Sequence, residues 1–529
     1  MLNQYIKKDA NLYLKITILI ISIYGISYID TSLLSHKLFH DDSYYYFEIA
    51  NNFIDTKNFT FDTINNTNGF HLLWLIILIF FGFIFKAFTN SYLDIAQIAI
   101  LIQGIIFYLS FKSIESAYSK NTLDKVLIFA VHLMFLPFFM NGMETGLIIL
   151  LLNLYIKKNF LSKEYSKSFL LIFLILLTRY DSIIIIFLIV LLTTFKKKNL
   201  TYFKQFIMVF LIFLIVIISF NFLIGIGFDN LSTSSSVKNY WHELDYKQHL
   251  NNCEIQNLNC SLFYAKNKIE FLPVYIANVN KLLFSTVQYT SAYNSFGEIP
   301  IRRIIPFLMV VFPISILNLM KTTKIRKFDI NSLWFVAIIH LTFLSLTSII
   351  WLVFDWYNYF IITLFMFTLI EVLINNKKLI KILFSMFVLI NSYVYVSSPP
   401  SQWAKVYGDT ANYLNSYENI VIGTWAAGHI GYYSDNPVIN LEGLVSGTDI
   451  IEMNKNGTLD TFILNNLNFV VTNFDPYKTP SDPKWFYELR INPLLKMEEK
   501  LDLVEIIKRD DETYTMYIFK INNNTKGDL

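Results

Sequence analysis

Apolar residues in this chain come in long unbroken runs separated by short polar turns. This is the pattern of a helical membrane bundle, in which every backbone polar group must be satisfied within its own helix. Twelve runs read as helices: Ile16–Leu34, His71–Phe88, Leu93–Phe111, Val126–Met140, Glu144–Ile156, Ser168–Thr178, Ile183–Phe195, Phe206–Ile226, Ile304–Met320, Ile330–Phe354, Tyr357–Ile374 and Leu379–Val396. The first follows Lys7 and Lys8 without a small-residue cleavage site, so it is expected to be an uncleaved span. Glu144–Ile156, Ser168–Thr178 and Ile183–Phe195 are short for a hydrocarbon core of about 30 Å, and their tips are expected to line a wet cavity. After Pro399–Pro400 the pattern changes. Short β-like runs (Ile420–Ile422, Val438–Leu441, Phe469–Thr472, Thr515–Phe519) alternate with helix-like ones (Gln402–Leu414, Leu459–Leu464). The expected division is a membrane module, residues 1–397, with outer loops at 35–70 and 227–303, and an α/β domain, residues 398–529.

Lysine and arginine clusters mark cytoplasmic ends. They occur at Lys7/Lys8, Lys157/Lys158, Lys196–Lys198, Lys321–Lys327 and Lys377/Lys378. Placing them all inside puts the N-terminus in the cytoplasm and the C-terminal domain outside. That arrangement needs an odd number of crossings, so His71–Phe88 is expected to be re-entrant or surface-lying. Composition agrees with the membrane reading: 54% of the 529 residues are apolar and only 16% charged, far below the roughly one quarter usual in soluble proteins. A net charge of +3 is too small to imply nucleic-acid binding. No phosphate-binding glycine loop, dinucleotide fingerprint or zinc signature is present. Cys253 and Cys260, the only cysteines, fall in the long outer loop as a local disulfide or as two thiols.

Under this orientation the ionisable residues gather on the outer face. Asp41-Asp42 leaves the first span, followed by Ser43-Tyr44-Tyr45-Tyr46. Such a carboxylate pair can divide labour between general base and metal ligand, or be a solvated loop. Asn68-Gly69-Phe70-His71 delivers His71 to the membrane boundary, and Gly142-Met143-Glu144-Thr145 opens a short apolar helix with a carboxylate. In Thr178-Arg179-Tyr180-Asp181, Arg179 either pairs with Asp181 or holds a phosphate. Lys238 opens the long loop, and Arg302/Arg303 close it at headgroup depth.

These motifs resemble the GT-C superfamily of polytopic membrane glycosyltransferases, and most closely its aminoarabinose and arabinofuranosyl transferase-like branch. The motifs that carry the resemblance are Asp41-Asp42-Ser43-Tyr44-Tyr45-Tyr46, Thr67-Asn68-Gly69-Phe70-His71, Gly142-Met143-Glu144-Thr145, Thr178-Arg179-Tyr180-Asp181, Ser234-Ser235-Ser236-Val237-Lys238 and Ile430-Gly431-Tyr432-Tyr433-Ser434 with Val438-Ile439-Asn440-Leu441-Glu442-Gly443-Leu444. They stand in the family's order. Leu72 replaces a usual Pro and Glu442 a common Asp. The resemblance implies a GT-C-like α-helical polytopic membrane protein of about 11–12 hydrophobic helices with a small C-terminal extracytoplasmic α/β domain. The resemblance also implies that this protein lies in a bacterial or archaeal cytoplasmic membrane. It would move a sugar from a polyprenyl-phosphate donor to a glycan, lipid or protein acceptor, with inversion. Asp41 carries over as the catalytic carboxylate and Asp42 as its acidic neighbour, a pair that could support a divalent metal. Tyr45, His71, Glu144, Arg179, Asp181, Lys238, Arg302 and Arg303 are the expected substrate-binding residues. A lipid-linked glycan flippase or ligase, or a non-catalytic scaffold, would share the spans without requiring the acidic pair.

Overall fold

The structure is a computed structural model. It describes residues 39–89, 94–161, 168–226, 359–375, 377–397, 402–473, 484–508 and 515–522, with scattered residues between 232 and 244 and between 333 and 340. Lys238, Arg302, Arg303, Cys253 and Cys260 lie outside the described residues, as do the runs at 16–34 and 304–320 and most of 330–354.

The apolar runs that the structure describes form helices, preceded by one over Asp41–Thr56. In chain order these are α1 (Asp41–Thr56), α2 (Leu72–Thr89), α3 (Ile95–Tyr118), α4 (Thr122–Met134), the single turn α5 (Leu136–Phe139), α6 (Thr145–Ile156), α7 (Phe169–Thr178), α8 (Ser182–Lys197), α9 (Thr201–Leu223), α10 (Tyr359–Ile374) and α11 (Lys378–Ser397). Among the described residues, Ile95–Tyr118 and Thr201–Leu223 are long and apolar enough to cross a membrane, and Leu72–Ala87, Phe169–Thr178 and Tyr359–Ile374 are shorter apolar helices. The run expected at 126–140 is divided at Phe135, where Pro137 starts the separate turn α5. A proline lacks the N–H that would continue α4.

The segment expected as a loop at 35–70 contains a helix, α1, that periodicity did not reveal. Asp41 and Asp42 sit in its first turn, where a helix favours negative charge, and Lys57 ends it in the left-handed region at φ 66°. Tyr44, Tyr45, Tyr46, Phe47 and Ile49 are all buried, so α1 is enclosed on most sides rather than lying half in water. The helix α2 runs alongside it in the same direction. The His71 N–H donates to the Tyr46 hydroxyl at one end, and Lys86 pairs with Asp55 at the other.

The C-terminal part holds α12 (Gln402–Leu414), β1 (Ile422–Thr424), α13 (Ala427–Tyr433), β2 (Val438–Asn440), α14 (Thr448–Asn456), α15 (Leu459–Asn466), β3 (Phe469–Thr472), α16 (Lys484–Lys496), β4 (Leu501–Lys508) and β5 (Thr515–Ile521). The strands make one sheet in the order β2-β1-β3-β5-β4. Strand β1 is parallel to β2 and β3, and β5 is antiparallel to β3 and β4. The three parallel strands are buried along their length, as parallel strands covered on both faces are.

The first outer loop and the C-terminal domain meet through glycines. A Cβ on Gly69 would fall on the Leu444 carbonyl, one on Gly428 on the Asp41 carbonyl, and one on Gly431 on the Phe61 ring. Gly428 and Gly431 stand three apart on α13 and so share the face turned to that loop.

Candidate functional site

Helix α1 is the organising element. Asp41 and Tyr45 reach the C-terminal domain, while Tyr46 reaches the membrane module.

On the first side, the Asp41 carboxylate accepts the His429 N–H through Oδ1 at 2.8 Å and the Gly428 N–H through Oδ2 at 3.2 Å. Burial pushes the Asp41 carboxyl up to about 6, against the two backbone hydrogen bonds that would lower it. The neighbouring Glu442 adds to the rise and Arg490 opposes it. Glu442, itself raised by burial, is ion-paired with Arg490. Tyr45 accepts a hydrogen bond from Asn440 Nδ2 at 3.1 Å, and burial first, then the Asp41 and Glu442 charges, hold its phenol protonated. Three carboxylates, Asp41, Asp42 and Glu442, thus share one neighbourhood with Arg490.

On the second side lies a buried charge cluster. Glu144 is fully buried and Arg179 is 2% exposed. Arg179 Nη1 donates to Glu144 Oε1 at 2.7 Å, and Nε donates to Asp181 Oδ1 at 3.0 Å. The Tyr46 hydroxyl donates to Glu144 Oε2 at 3.0 Å, and His71 Nε2 lies 3.7 Å from Glu144. The Arg179 guanidinium also sits 5.2 Å from the centroid of the Tyr359 ring. The 141–144 turn that presents Glu144 is fixed from two helices. Trp74 Nε1 donates to the Gly142 carbonyl, and Gln103 accepts from the Gly142 N–H while donating to the Met143 carbonyl. Gly142 itself needs to be glycine, having φ +79° and Ser43 against it.

The structure therefore brings together Tyr45 with Asp41 and Asp42 on one side of α1, and His71, Glu144, Arg179 and Asp181 on the other. Arg179 is engaged by carboxylates of the chain itself: it pairs with Asp181, as the local alternative expected, and also with Glu144. Tyr46 and Asn440 stand within the sequence motifs without an expected role, and Gln103 and Arg490 escaped sequence reasoning. Gln103 carried a signal, a polar residue in the middle of an apolar helix. The Gly428 and His429 N–H groups carried none, because backbone donors leave no mark on residue type.

Among the described residues no group of three or more His, Cys, Asp or Glu side chains is gathered as a metal ion would need. Each Asp41 oxygen accepts one backbone N–H and keeps a further lone pair.

The chain thus joins a helical module to a small α/β domain, with the segment around α1 meeting that domain. Its fold is similar to that of ArnT from Cupriavidus metallidurans bound to undecaprenyl phosphate, with a TM-score of 0.56 at 10% identity over 95% of this chain and 97% of that one. The apo state of the same protein gives a TM-score of 0.41 at 9% identity over 96% and 98% of the two chains, and the likeness in fold rests on the former. At the level of sequence the chain matches no family model and no curated protein.

Proposed function

We propose that this protein is a glycosyltransferase of the outer membrane face that uses a polyprenyl-phosphate-linked sugar, with Asp41 as general base. The observation that carries the reading is the Asp41 carboxyl. It is partly buried, held through both oxygens, and raised to about 6, close to the range in which a base is most effective at neutral pH. Support for the donor class comes from the fold shared with a protein that binds undecaprenyl phosphate.

The reaction is a single displacement. The acceptor oxygen forms its bond to the anomeric carbon as its proton passes to Asp41. The bond from that carbon to the phosphate oxygen breaks, and polyprenyl phosphate departs with the electron pair, leaving an inverted configuration. His71 and Asp181 have side chains 24% and 28% exposed, whereas Glu144 and Arg179 are closed off. The first two are therefore the members of the charge cluster that would touch the donor head, and the second two hold them in place. Lys238, Arg302 and Arg303 complete the proposal as cations at headgroup depth on the long outer loop, where a departing phosphate needs them.

The test is mass spectrometry of lipid-linked intermediates and surface glycans in cells lacking the gene, complemented with wild type or Asp41→Asn. Loss of a well-placed base costs about 10²–10⁴-fold in rate, so the variant should accumulate donor and lack product while reaching the membrane in normal amount. A folded Asp41→Asn protein with full product would refute the assignment. It would favour a lipid-linked glycan flippase or ligase, or a scaffold, neither of which needs the acid.

A further inference from the structure

We infer that the first turn of α13 is a positioning element of the site: the Gly428 and His429 N–H groups aim the Asp41 carboxylate, so the outer domain is a working part of the catalytic centre.

The geometry is specific. The two donors reach different oxygens of one carboxylate, at 3.2 Å to Oδ2 and 2.8 Å to Oδ1, across 387 and 388 residues of chain. A carboxylate held through one oxygen can still swing about its Cβ–Cγ bond, whereas one held through both has a fixed plane. Each oxygen keeps a further lone pair, so the clasp orients the group and leaves it able to accept a proton. The donors are also otherwise unassigned by the helix, because the first N–H groups of any helix have no partner within it. Gly428 is the enabling residue, since any Cβ there would collide with the Asp41 carbonyl, which belongs to backbone and cannot turn aside.

The groups around the clasp fit an orienting role. From α1 come Asp42 and Tyr45, and from the outer domain Glu442, Arg490 and the His429 ring. Arg490 is paired with Glu442 and acts on Asp41 through its charge, whereas the two N–H groups contact the carboxylate directly. The Tyr44 ring packs edge-on against the His429 ring with centroids 4.7 Å apart, which fixes the donor turn against α1 from the other direction.

The clasp is tested first by hydrogen exchange on the full chain, a readout independent of any activity. Gly428 and His429 amides should be protected in the wild type and should exchange at least about tenfold faster in Asp41→Ala, the factor that a hydrogen bond worth some 1.4 kcal/mol supplies. Amides of β1 and β3 should stay protected in both proteins. Unprotected amides in the wild type, or protection unchanged by Asp41→Ala, would overturn the clasp.

Its consequence for the site rests on the proposed transferase reading and is tested by product formation in complemented cells. His429→Pro removes one donor together with the buried His429 ring, and Gly428→Ala forces the turn off Asp41 while leaving that ring in place. Either should lower product at least tenfold with β1 and β3 still protected, which keeps the comparison open if one of the two fails to fold. Gly457→Ala is the control: it strains a φ of +69° in the same domain, and its added Cβ would meet only Lys496. It should keep its product. Equal loss in all three would reduce the clasp to a structural contact and overturn the positioning role. Full product in Asp41→Asn would instead sink the base assignment and leave the exchange result to decide the clasp.

Discussion

Replacing Arg179 by Gln separates a structural cation from a phosphate-binding one, and the structure sets the expected size of the effect. Arg179 is 2% exposed and bonds a carboxylate that is fully buried, Glu144, and a second that is 28% exposed, Asp181. Loss of the guanidinium leaves Asp181 within reach of water, but among the described residues Glu144 keeps the Tyr46 hydroxyl and the nearby His71. Removing one member of a buried pair typically costs about 3–5 kcal/mol, because the remaining charge is left without solvent or partner. Most of that cost should come from Glu144. Converting Glu144 to Gln in the same protein removes the stranded charge while keeping a hydrogen-bonding side chain. The double variant Glu144→Gln/Arg179→Gln should therefore recover about 1–3 kcal/mol relative to Arg179→Gln alone. Unfolding in mixed micelles by titration with a denaturing detergent, followed by tryptophan fluorescence, would measure both steps. Trp74 is buried and bonded to the turn that carries Glu144, so it reports on this site directly. If Arg179→Gln unfolds at the wild-type midpoint yet binds donor poorly, the pairing argument fails and Arg179 is a phosphate ligand.

Glu48 gives a pH test. Burial lifts its carboxyl to about 8 from an ordinary 4.5, so the folded protein holds a proton that the unfolded chain releases. Stability should fall as pH rises from about 4.5 to about 8, and Glu48→Gln should flatten that part of the profile in denaturation measured across the range. A second expected loss concerns Gly142→Ala, which strains a φ of +79° and sets a methyl 2.6 Å from Ser43 Cβ. It should destabilise the 141–144 turn by more than about 1 kcal/mol, and an unchanged unfolding midpoint would refute the close approach. Orientation is checked by labelling single cysteines in a chain without Cys253 and Cys260. A membrane-impermeant reagent should reach position 456 but not position 197 in intact cells, and the opposite pattern would reverse the topology.

What the sequence determined by itself was local. An unbroken apolar run leaves a backbone no choice but helix in lipid, so α6 to α9 could be located to within a few residues from composition alone. The same holds for the strand at Phe469–Thr472 and the helix at Gln402–Leu414, whose patterns are set by burial within one short segment. Elements whose environment comes from elsewhere escaped. Strand β4 is an edge strand with many exposed positions, and its Glu and Lys residues hide the alternation. Helix α1 reads as a tyrosine-rich loop because its burial on most sides is supplied by α2 and α13, not by its own period.

The site followed the same division. Charge beside apolar helices is how Glu144 and Arg179 stood out, and the Asp41-Asp42 pair stood out as adjacent carboxylates following the first apolar run. Their partners were a matter of tertiary structure. A pairing across 35 residues between Glu144 and Arg179, or across 387 between Asp41 and Gly428, depends on which helix faces which. A backbone N–H is present at nearly every residue. Only the fold decides which two of them meet a given carboxylate.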